Sequence, residues 1–338
     1  MNYLQQPEVL LSRLREAMIA GLRVLTVMNT VSRAIALTRL ADADSLLAPF
    51  LFSVANRRCP HHGRYARPDR ELMDKQVSVR LGKDSPAGAL LLIGTQTLEQ
   101  SLDIDADWLI TDLCPIDVLL QRIGRLHRHD RGPRPVPVCT VLLPGEEDFS
   151  VFLNRAGEVK RKDLAGLGAV YEDLRILQLT RDLVSQVPAV EIPRDNRRLV
   201  ETATHPDRLS TLQSDVWARH TQHIEGIGGA QQSAAHAAAI PHKHFGEFMF
   251  PAAVEGHLAT RLGLNDRRLP LGGIFTSPFG EALEEINIPG HLAKGLEVEQ
   301  AHMVSPEGDT LTIRADPQDQ FVYRYSRFGL EKIDEPAR

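Results

Sequence analysis

Three arginines recur at intervals of three residues in the stretch QRIGRLHR, which begins at Gln121. In a helix, this spacing would bring Arg122, Arg125 and Arg128 onto one face. Adjacent guanidinium groups repel one another, so the row needs acidic neighbours or a polyanion, and a triphosphate would satisfy it through bidentate hydrogen bonds. The row therefore fits arginine fingers, which stabilise the charge that develops on a transferred phosphoryl group. A solvated or nucleic-acid-facing helix is the more common reading of such spacing taken alone.

Polar residues also follow an apolar run from Ala89 to Ile93, which has the length of a buried strand. Gly94-Thr95-Gln96 come directly after this run, where open α/β sheets bind their ligands. The segment EQSLDID, which starts at Glu99, then adds a hydroxyl group and acidic side chains before the next apolar run. These residues indicate a ligand site at this edge of the sheet and favour the arginine-finger interpretation of the row.

Alternating apolar runs and helical patterns over residues 1–145 predict the elements that position this site. The runs predict strands at 23–28, 50–55, 89–93, 108–111 and 138–143. The helical patterns predict helices at 31–40, 67–81 and 116–126, the last of which would carry the arginines. This order is typical of α/β proteins with a parallel sheet flanked by helices.

A Pro/Gly cluster at residues 133–145 marks the end of this first domain. We predict a first domain at 1–146, a linker at 147–188 with a helical stretch at 164–187, and a smaller mixed C-terminal domain at 189–338. The C-terminal domain combines an Ala/His-rich helical segment at 233–240 with short strands broken by Gly and Pro. Gly226-Ile227-Gly228-Gly229 has no strand before it, so we predict a flexible turn there.

Charge is unevenly distributed along the 338 residues, whose formal net charge is -5. Residues 52–80 contain seven Lys or Arg against three Asp or Glu, whereas residues 270–338 contain twelve acids against six bases. A polyanionic partner would therefore bind the first part of the chain.

The sequence predicts no disulfide framework, metal site or membrane span. Its three cysteines are widely spaced, and neither CPHH at Cys59 nor the histidines between His236 and His244 provide four ligands at zinc spacing. No apolar run is long enough to cross a bilayer, and the first residues do not have the pattern of a signal peptide. We expect a cytoplasmic protein.

The polar motifs resemble motifs V and VI of superfamily 2 helicases. The stretches TQTLEQSLDID and ITDLCPIDVLLQRIGRLHRH are similar, more specifically, to the CRISPR-associated helicase-nuclease of type I interference systems. Upstream, VLTVMNTV is similar to motif IV, and HGRY with a following DR is similar to the family's H-S-R-F and D-R signature, from which Gly63 and Tyr65 depart. Downstream, IPRDNRRLVE and HLATRLG are similar to the start of the family's C-terminal domain. The resemblance is to the C-terminal half of the family, a second RecA-like domain plus a C-terminal domain.

This resemblance implies roles for individual residues. Arg125 and Arg128 would face the γ-phosphate of ATP, and Gln121 and Arg122 would complete that wall. Asp103 would lie near the nucleotide sugar. Five residues would lie on or near a face that binds the phosphates of single-stranded DNA without reading its bases: Asn29, Thr30, Arg64, Thr95 and Gln96.

The family closes ATP between two RecA-like domains, and the resemblance covers only the second. The sequence has neither a G-x-x-x-x-G-K-[ST] phosphate loop nor a D-E-x-D or D-E-x-H box for Mg²⁺. His129-Asp130 belongs to the arginine motif and has no partner ligands of an HD nuclease. We therefore expect ATP hydrolysis to need a first RecA-like domain that holds Mg²⁺, supplied with the HD nuclease in trans or upstream. The family also implies recruitment to an RNA-guided surveillance complex.

Two other functions remain open. The chain could be a non-catalytic module that binds DNA or the surveillance complex and never meets ATP, in which case nucleotide would not change its DNA affinity. It could also be half of a general superfamily 2 helicase, which preference for a surveillance complex on opened DNA would exclude.

Overall fold

The computed structural model describes residues 7–99, 102–160, 165–238 and 266–333. Its α-helices are α1 (Pro7–Ile19), α2 (Val31–Ala43), α3 (Arg67–Leu81), α4 (Ile116–Ile123), α5 (Leu174–Gln186), α6 (Asn196–Thr204), α7 (Pro206–Leu209) and α8 (Asp215–Ala238). Its strands are β1 (Arg23–Val27), β2 (Ser53–Val54), β3 (Arg57–Arg58), β4 (Leu90–Gly94), β5 (Trp108–Asp112), β6 (Val138–Leu142), β7 (Arg267–Thr276), β8 (Ala282–Ile288), β9 (Met303–Glu307), β10 (Thr310–Arg314), β11 (Val322–Ser326) and β12 (Gly329–Ile333).

Four parallel strands form the central sheet, in the order β4-β1-β5-β6. Every residue of β1 and β4 is buried, as expected for a parallel sheet with both faces covered. Val24 of β1 packs in a core that α1 and α2 complete, whereas the next residue, Leu25, packs in a second core that contains Met73 of α3. The predicted α/β fold with a parallel sheet flanked by helices is confirmed.

The strand predicted at 50–55 is confirmed only at Ser53–Val54 and lies outside the central sheet, whereas the other four predicted strands are present in that sheet. Leu51 makes only an isolated parallel bridge with Leu91. The chain then turns back on itself at Ala55 and Asn56, which both have positive φ (47° and 60°). This turn allows β2 to pair with β3 in a hairpin. Two consecutive residues of this kind form the tight turn that favours Asn at a hairpin tip.

Two predictions in the second half of the chain also need correction. The helical stretch predicted at 164–187 begins only at Leu174, after turns in which Gly166 and Gly168 have φ of 84° and 70°. The predicted flexible turn at Gly226–Gly229 lies inside α8. The end of the Ala/His-rich segment and the HLATRLG motif lie outside the described residues. Within the described ranges, no helix is both long and apolar enough to cross a membrane.

The C-terminal strands pack directly on α3. β7 pairs with β8, and a second antiparallel sheet has the order β12-β11-β10-β9. One continuous apolar core contains Met73 of α3 and Tyr325 of β11. Asp69 of α3 is buried within this junction, where its carboxylate accepts hydrogen bonds from Ser277 Oγ (2.6 Å) and Tyr325 Oη (2.5 Å). Burial raises the pKa of Asp69 against the effect of these hydrogen bonds.

Helix α6 packs with the linker helix α5 and with α4 of the first domain. Leu199 of α6, Leu183 of α5 and Leu119 of α4 share one core cluster. The predicted boundary between linker and C-terminal domain falls between residues 188 and 189, just before α6. Helix α6 nevertheless packs on helices that come before this boundary. The boundary itself stays a prediction.

We expect acid to destabilise the junction between α3 and the C-terminal strands, because His62 is buried there in its neutral form. Its Nδ1 accepts the backbone N–H of Arg64 (3.1 Å), so its Nε2 donates to the carbonyl of Phe328 (3.0 Å). Burial, aided by the charge of Arg64, holds the pKa of His62 well below its ordinary value of 6.5. Below pH 6.5 the unfolded chain takes up a proton at this residue that the folded chain resists, which costs about 1.4 kcal/mol per pH unit.

Urea unfolding at several pH values between about 7.5 and 5.5 measures this effect. The control is His62→Gln, which keeps an amide N–H near Nε2 and does not titrate. The unfolding free energy of this variant should fall less steeply with decreasing pH, because one fewer proton is taken up on unfolding. The other buried histidines should still make its unfolding free energy depend on pH. Equal slopes in the two proteins would mean that His62 does not carry the effect.

Candidate functional site

Arg122 lies at the centre of a buried polar cluster at the carboxyl ends of the parallel strands. Its side chain is fully buried, although it comes from α4 on the surface of the sheet. Its five N–H groups donate to five residues: Glu99 Oε1 (2.8 Å), Thr111 Oγ1 (2.5 Å), the Asp112 carbonyl (3.2 Å), Asn29 Oδ1 (3.1 Å) and Tyr171 Oη (3.0 Å). No N–H group of Arg122 is left to contact a phosphate in this arrangement.

Asn29, the second residue after β1, connects the strand ends to one another. Its backbone N–H donates to Asp112 Oδ2 (2.9 Å), and its carbonyl accepts from Gln96 Nε2 (2.8 Å). Asp112 is buried, and Arg33 of α2 holds it through two bonds, from Nε (2.9 Å) and Nη2 (2.7 Å). Residues that follow β1 and β4 are therefore tied to the end of β5.

The predicted helix at 116–126 is too long, because α4 ends at Ile123. The N–H of Arg125 donates to the Arg122 carbonyl (3.0 Å), which closes a tight turn after the helix. Leu126 then pairs with Ala106, and His127 has a φ of 44°, which a right-handed helix cannot accommodate. The prediction that Arg122, Arg125 and Arg128 share one helix face is therefore wrong.

Glu99, Leu102 and Asp103 line up the three arginines instead. Arg122 forms an ion pair with the Glu99 carboxylate (2.6 Å). Arg125 donates to the carbonyls of Glu99 and Leu102, the latter at 2.6 Å. Arg128 forms an ion pair with Asp103 (3.2 Å). Acidic and carbonyl groups thus separate the positive charges, as the sequence required of any row of arginines without a polyanion.

Exposure increases along this row from Arg122 to Arg128. Arg122 is fully buried, Arg125 is partly buried, and the side chain of Arg128 is 44% exposed. Gln121, beside them on α4, is also exposed. The Nε of Arg125 is buried without a hydrogen-bond partner, so this side chain has a spare donor that a phosphate oxygen could accept. Burial, with the charge of Arg128, lowers the pKa of Arg125.

Asp103 is positioned by three neighbours at the exposed end of the row. Its carboxylate accepts from His129 Nε2 (2.7 Å) and from the backbone N–H of Lys83 (3.1 Å), in addition to the ion pair with Arg128. Partial burial works to raise the pKa of Asp103, but the bonds from His129 and Lys83 lower it on balance. Asp103 therefore presents a charged carboxylate that is 42% exposed.

The five residues predicted for a nucleic-acid face are divided between the interior and the surface. Asn29 and Thr95 are buried. Thr30, Arg64 and Gln96 are partly exposed. Thr30 caps α2, with its hydroxyl accepting the N–H of Arg33, and Arg64 contacts His291 of the C-terminal part (3.0 Å). Gln96 and Asn29 are brought together, whereas Arg64 lies at the junction with the C-terminal strands.

Sequence reasoning missed four of the five residues that Arg122 contacts. Glu99, Thr111 and Asp112 lie within the helicase-like motifs, but the sequence assigned them no role of their own. Tyr171 gave no signal, because it comes from the linker, 49 residues beyond Arg122. Gln100 and Ser101 of the same motif lie outside the described residues.

Comparison with known proteins gives consistent matches. Residues 20–131 match the family model described as "CRISPR-associated nuclease/helicase Cas3, C-terminal". The CRISPR-associated endonuclease/helicase Cas3 of Escherichia coli (strain K12) is 46% identical over 93 residues, which are 26% of this chain and 10% of that protein. The chain therefore spans a small part of this relative's length.

Solved structures share the fold. The crystal structure of T. fusca Cas3 with AMPPNP is similar with a TM-score of 0.59 and 26% identity, over 83% of this chain and 30% of that one. A chain in a structure described as a CRISPR RNA-guided surveillance complex, pre-nicking, has a TM-score of 0.63 at 21% identity, over 96% of this chain and 42% of that one. Because its identity is low, the second match bears on the fold alone.

Proposed function

We propose that the chain corresponds to the C-terminal half of a Cas3-type nuclease/helicase and is the arginine-bearing half of an ATP-dependent motor on single-stranded DNA. The observation that supports this most directly is the row of three arginines, in which Arg122 is buried and fully paired whereas Arg128 and Asp103 are exposed. A site that contacts a nucleotide held by another domain needs side chains that are exposed and are held in position by buried neighbours.

We propose that Arg125 and Arg128 contact the phosphates and that Arg122 positions them from beneath. Mg²⁺-ATP would be held by a first RecA-like domain, in the same polypeptide or in another, and it would supply the phosphoryl group that is transferred to water. The spare Nε donor of Arg125 and the exposed guanidinium of Arg128 fit a polyphosphate. Gln121 would lie at the rim of this wall, and Asp103 would accept from a sugar hydroxyl.

The proposed DNA-binding face uses the partly exposed residues Thr30, Arg64 and Gln96. The buried Asn29 and Thr95 would support this face from below, since Asn29 holds Gln96 through its carbonyl. Hydroxyl, amide and guanidinium groups bind phosphates without selecting bases, which suits a translocating enzyme. We propose residues 1–146 as the RecA-like unit, 147–188 as the linker and 189–338 as the domain that closes over DNA.

The proposed partners follow from the relatives. Cas3 proteins are named as nucleases and helicases, so an HD nuclease domain would act on the strand that this motor moves. An RNA-guided surveillance complex would be the site of recruitment, as the family resemblance implies, and a chain of similar fold occurs in such a complex. Translocation would come from closing and opening of the two RecA-like domains around ATP.

ATP hydrolysis in the presence of single-stranded DNA tests the proposal. We expect no turnover by the chain alone and DNA-stimulated turnover after addition of a first RecA-like domain from a Cas3 relative. Turnover by the chain alone would contradict the division of the site between two domains. DNA binding that is the same with and without nucleotide and the added domain, together with no turnover, would contradict the motor itself.

A second function is favoured by one specific contact. Arg125 already donates to two backbone carbonyls of its own chain, so it could be a structural element of a module that only binds DNA or the surveillance complex. In that case, removing the Arg125 side chain would lower stability without changing any nucleotide-dependent property.

A further inference from the structure

The linker covers the buried polar cluster through a short segment, residues 165–171. Asn29 Nδ2 donates to the carbonyl of Ala165 (2.9 Å). Gly166 lies so close to Asn29 that a Cβ at this position would be 2.8 Å from the Asn29 Cβ, and its φ of 84° disfavours any side chain. This close approach requires glycine and fixes the segment against the end of β1.

Tyr171 ends this segment and reaches the cluster with its hydroxyl. Tyr171 Oη accepts a hydrogen bond from Arg122 Nη2 (3.0 Å). The backbone carbonyl of Tyr171 accepts from the N–H of Gly168 (2.9 Å), which holds the segment in its turn. One hydroxyl therefore joins the linker to Arg122, at the base of the arginine row.

We propose that Tyr171 is a positioning residue for the turn that carries Arg125 and Arg128. Arg122 is the intermediary, because its carbonyl accepts the N–H of Arg125 and its side chain needs Tyr171 for one of its five bonds. The inference deepens the proposed function: a displacement of the linker would be transmitted to the phosphate-facing arginines. Residue 171 lies outside the segment matched by the family model, so that similarity assigns it no role.

Hydrogen exchange on the full chain tests this inference without requiring activity. The variant is Tyr171→Phe, which keeps the ring and removes only the hydroxyl. The matched control is Tyr323→Phe, because Tyr323 Oη donates one hydrogen bond to the carbonyl of Leu292 (2.9 Å), far from the arginines. The readout is the exchange of backbone amides 124–127, all of which donate to backbone carbonyls.

In Tyr171→Phe, we expect amides 124–127 to exchange about tenfold faster, because a buried N–H of Arg122 loses its acceptor. Tyr323→Phe should leave these amides unchanged. Unchanged exchange in Tyr171→Phe would overturn the inference. Faster exchange spread equally over residues 310–333 would overturn it as well, since the hydroxyl would then serve general stability.

The ATPase assay with the first RecA-like domain separates this inference from the proposed function. In Tyr171→Phe, kcat should fall about tenfold with less than about a twofold change in the KM for ATP, since only the alignment of the arginines is lost. No turnover by the wild-type mixture would count against the proposed function, and the exchange experiment would still decide the role of Tyr171. Wild-type turnover with an unaltered kcat in Tyr171→Phe would overturn the inference alone.

Discussion

Arg125→Ala is expected to reduce DNA-stimulated ATP hydrolysis roughly 10³-fold or more in the mixture of this chain with a first RecA-like domain. A guanidinium group that meets the transferring phosphoryl group stabilises the negative charge that develops on it in the transition state. The Nε of Arg125 has no hydrogen-bond partner among the described residues, so the side chain retains an unpaired donor. The effect should appear in kcat, with a smaller change in the KM for ATP, because the contact strengthens as the charge develops.

The matched control is Arg197→Ala on α6. Arg197 also forms an ion pair, with Glu201, but its side chain is 89% exposed. It should leave hydrolysis unchanged. Arg125→Lys should recover only part of the rate, because a lysine cannot reproduce the planar donors of guanidinium. Full activity of Arg125→Ala in a correctly folded protein would assign Arg125 to the second, non-catalytic function.

Thermal unfolding of the same proteins distinguishes a lost contact in the motor from a damaged fold. Arg125 donates to the carbonyls of Glu99 and Leu102, so its removal has a structural cost of its own. We expect a modest decrease in Tm that Arg125→Lys largely avoids. A decrease in rate that followed Tm across the variants would indicate a structural role.

Residue type and periodicity were sufficient to predict the strands of the central sheet and the helix with clear end signals. β1, β4, β5, β6 and α3 are present where the pattern put them, because buried apolar runs and a helix that starts at Arg67-Pro68 have few alternatives. The strand predicted at 50–55 is shorter than expected for a local reason, since the tight Ala55-Asn56 turn folds the chain back after two residues. Periodicity over six residues cannot detect a reversal of that kind.

The sequence predicted several of the residues that form the site, but it did not predict how they are arranged. Spacing alone suggested that three arginines share a helix face, but Gly124 and the left-handed His127 end the helix between them. Their alignment depends on Glu99, Leu102 and Asp103. These three residues come close to the arginines only after β4 and β5 pair with β1. Tyr171 could not be found at all, because no spacing rule relates a linker residue to a helix 49 residues earlier.

Arg122→Met is expected to lower the free energy of unfolding by about 3–5 kcal/mol, the range for breaking a buried ion pair. The substitution removes the partner of Glu99, a carboxylate whose side chain is only 8% exposed, and leaves Asn29 Oδ1 without its donor. Burial already raises the pKa of Glu99, and the charge of Arg122 opposes that rise. Without Arg122, the carboxylate must take up a proton or draw water into the cluster.

The double variant Arg122→Met/Glu99→Met distinguishes two contributions to the free energy of unfolding: the penalty for a buried, unpaired carboxylate and the net stabilisation by the ion pair. If the stranded carboxylate accounts for most of the loss, the double variant should regain a large part of it in urea unfolding. Recovery should be incomplete, because Asn29, Thr111 and Tyr171 still lack the donors that Arg122 supplied. Arg67→Met is the surface control, since its pair with Glu71 is exposed, and it should change stability little. A double variant as unstable as Arg122→Met would mean that Arg122 stabilises the fold through its neutral partners, and that its pairing with Glu99 is secondary.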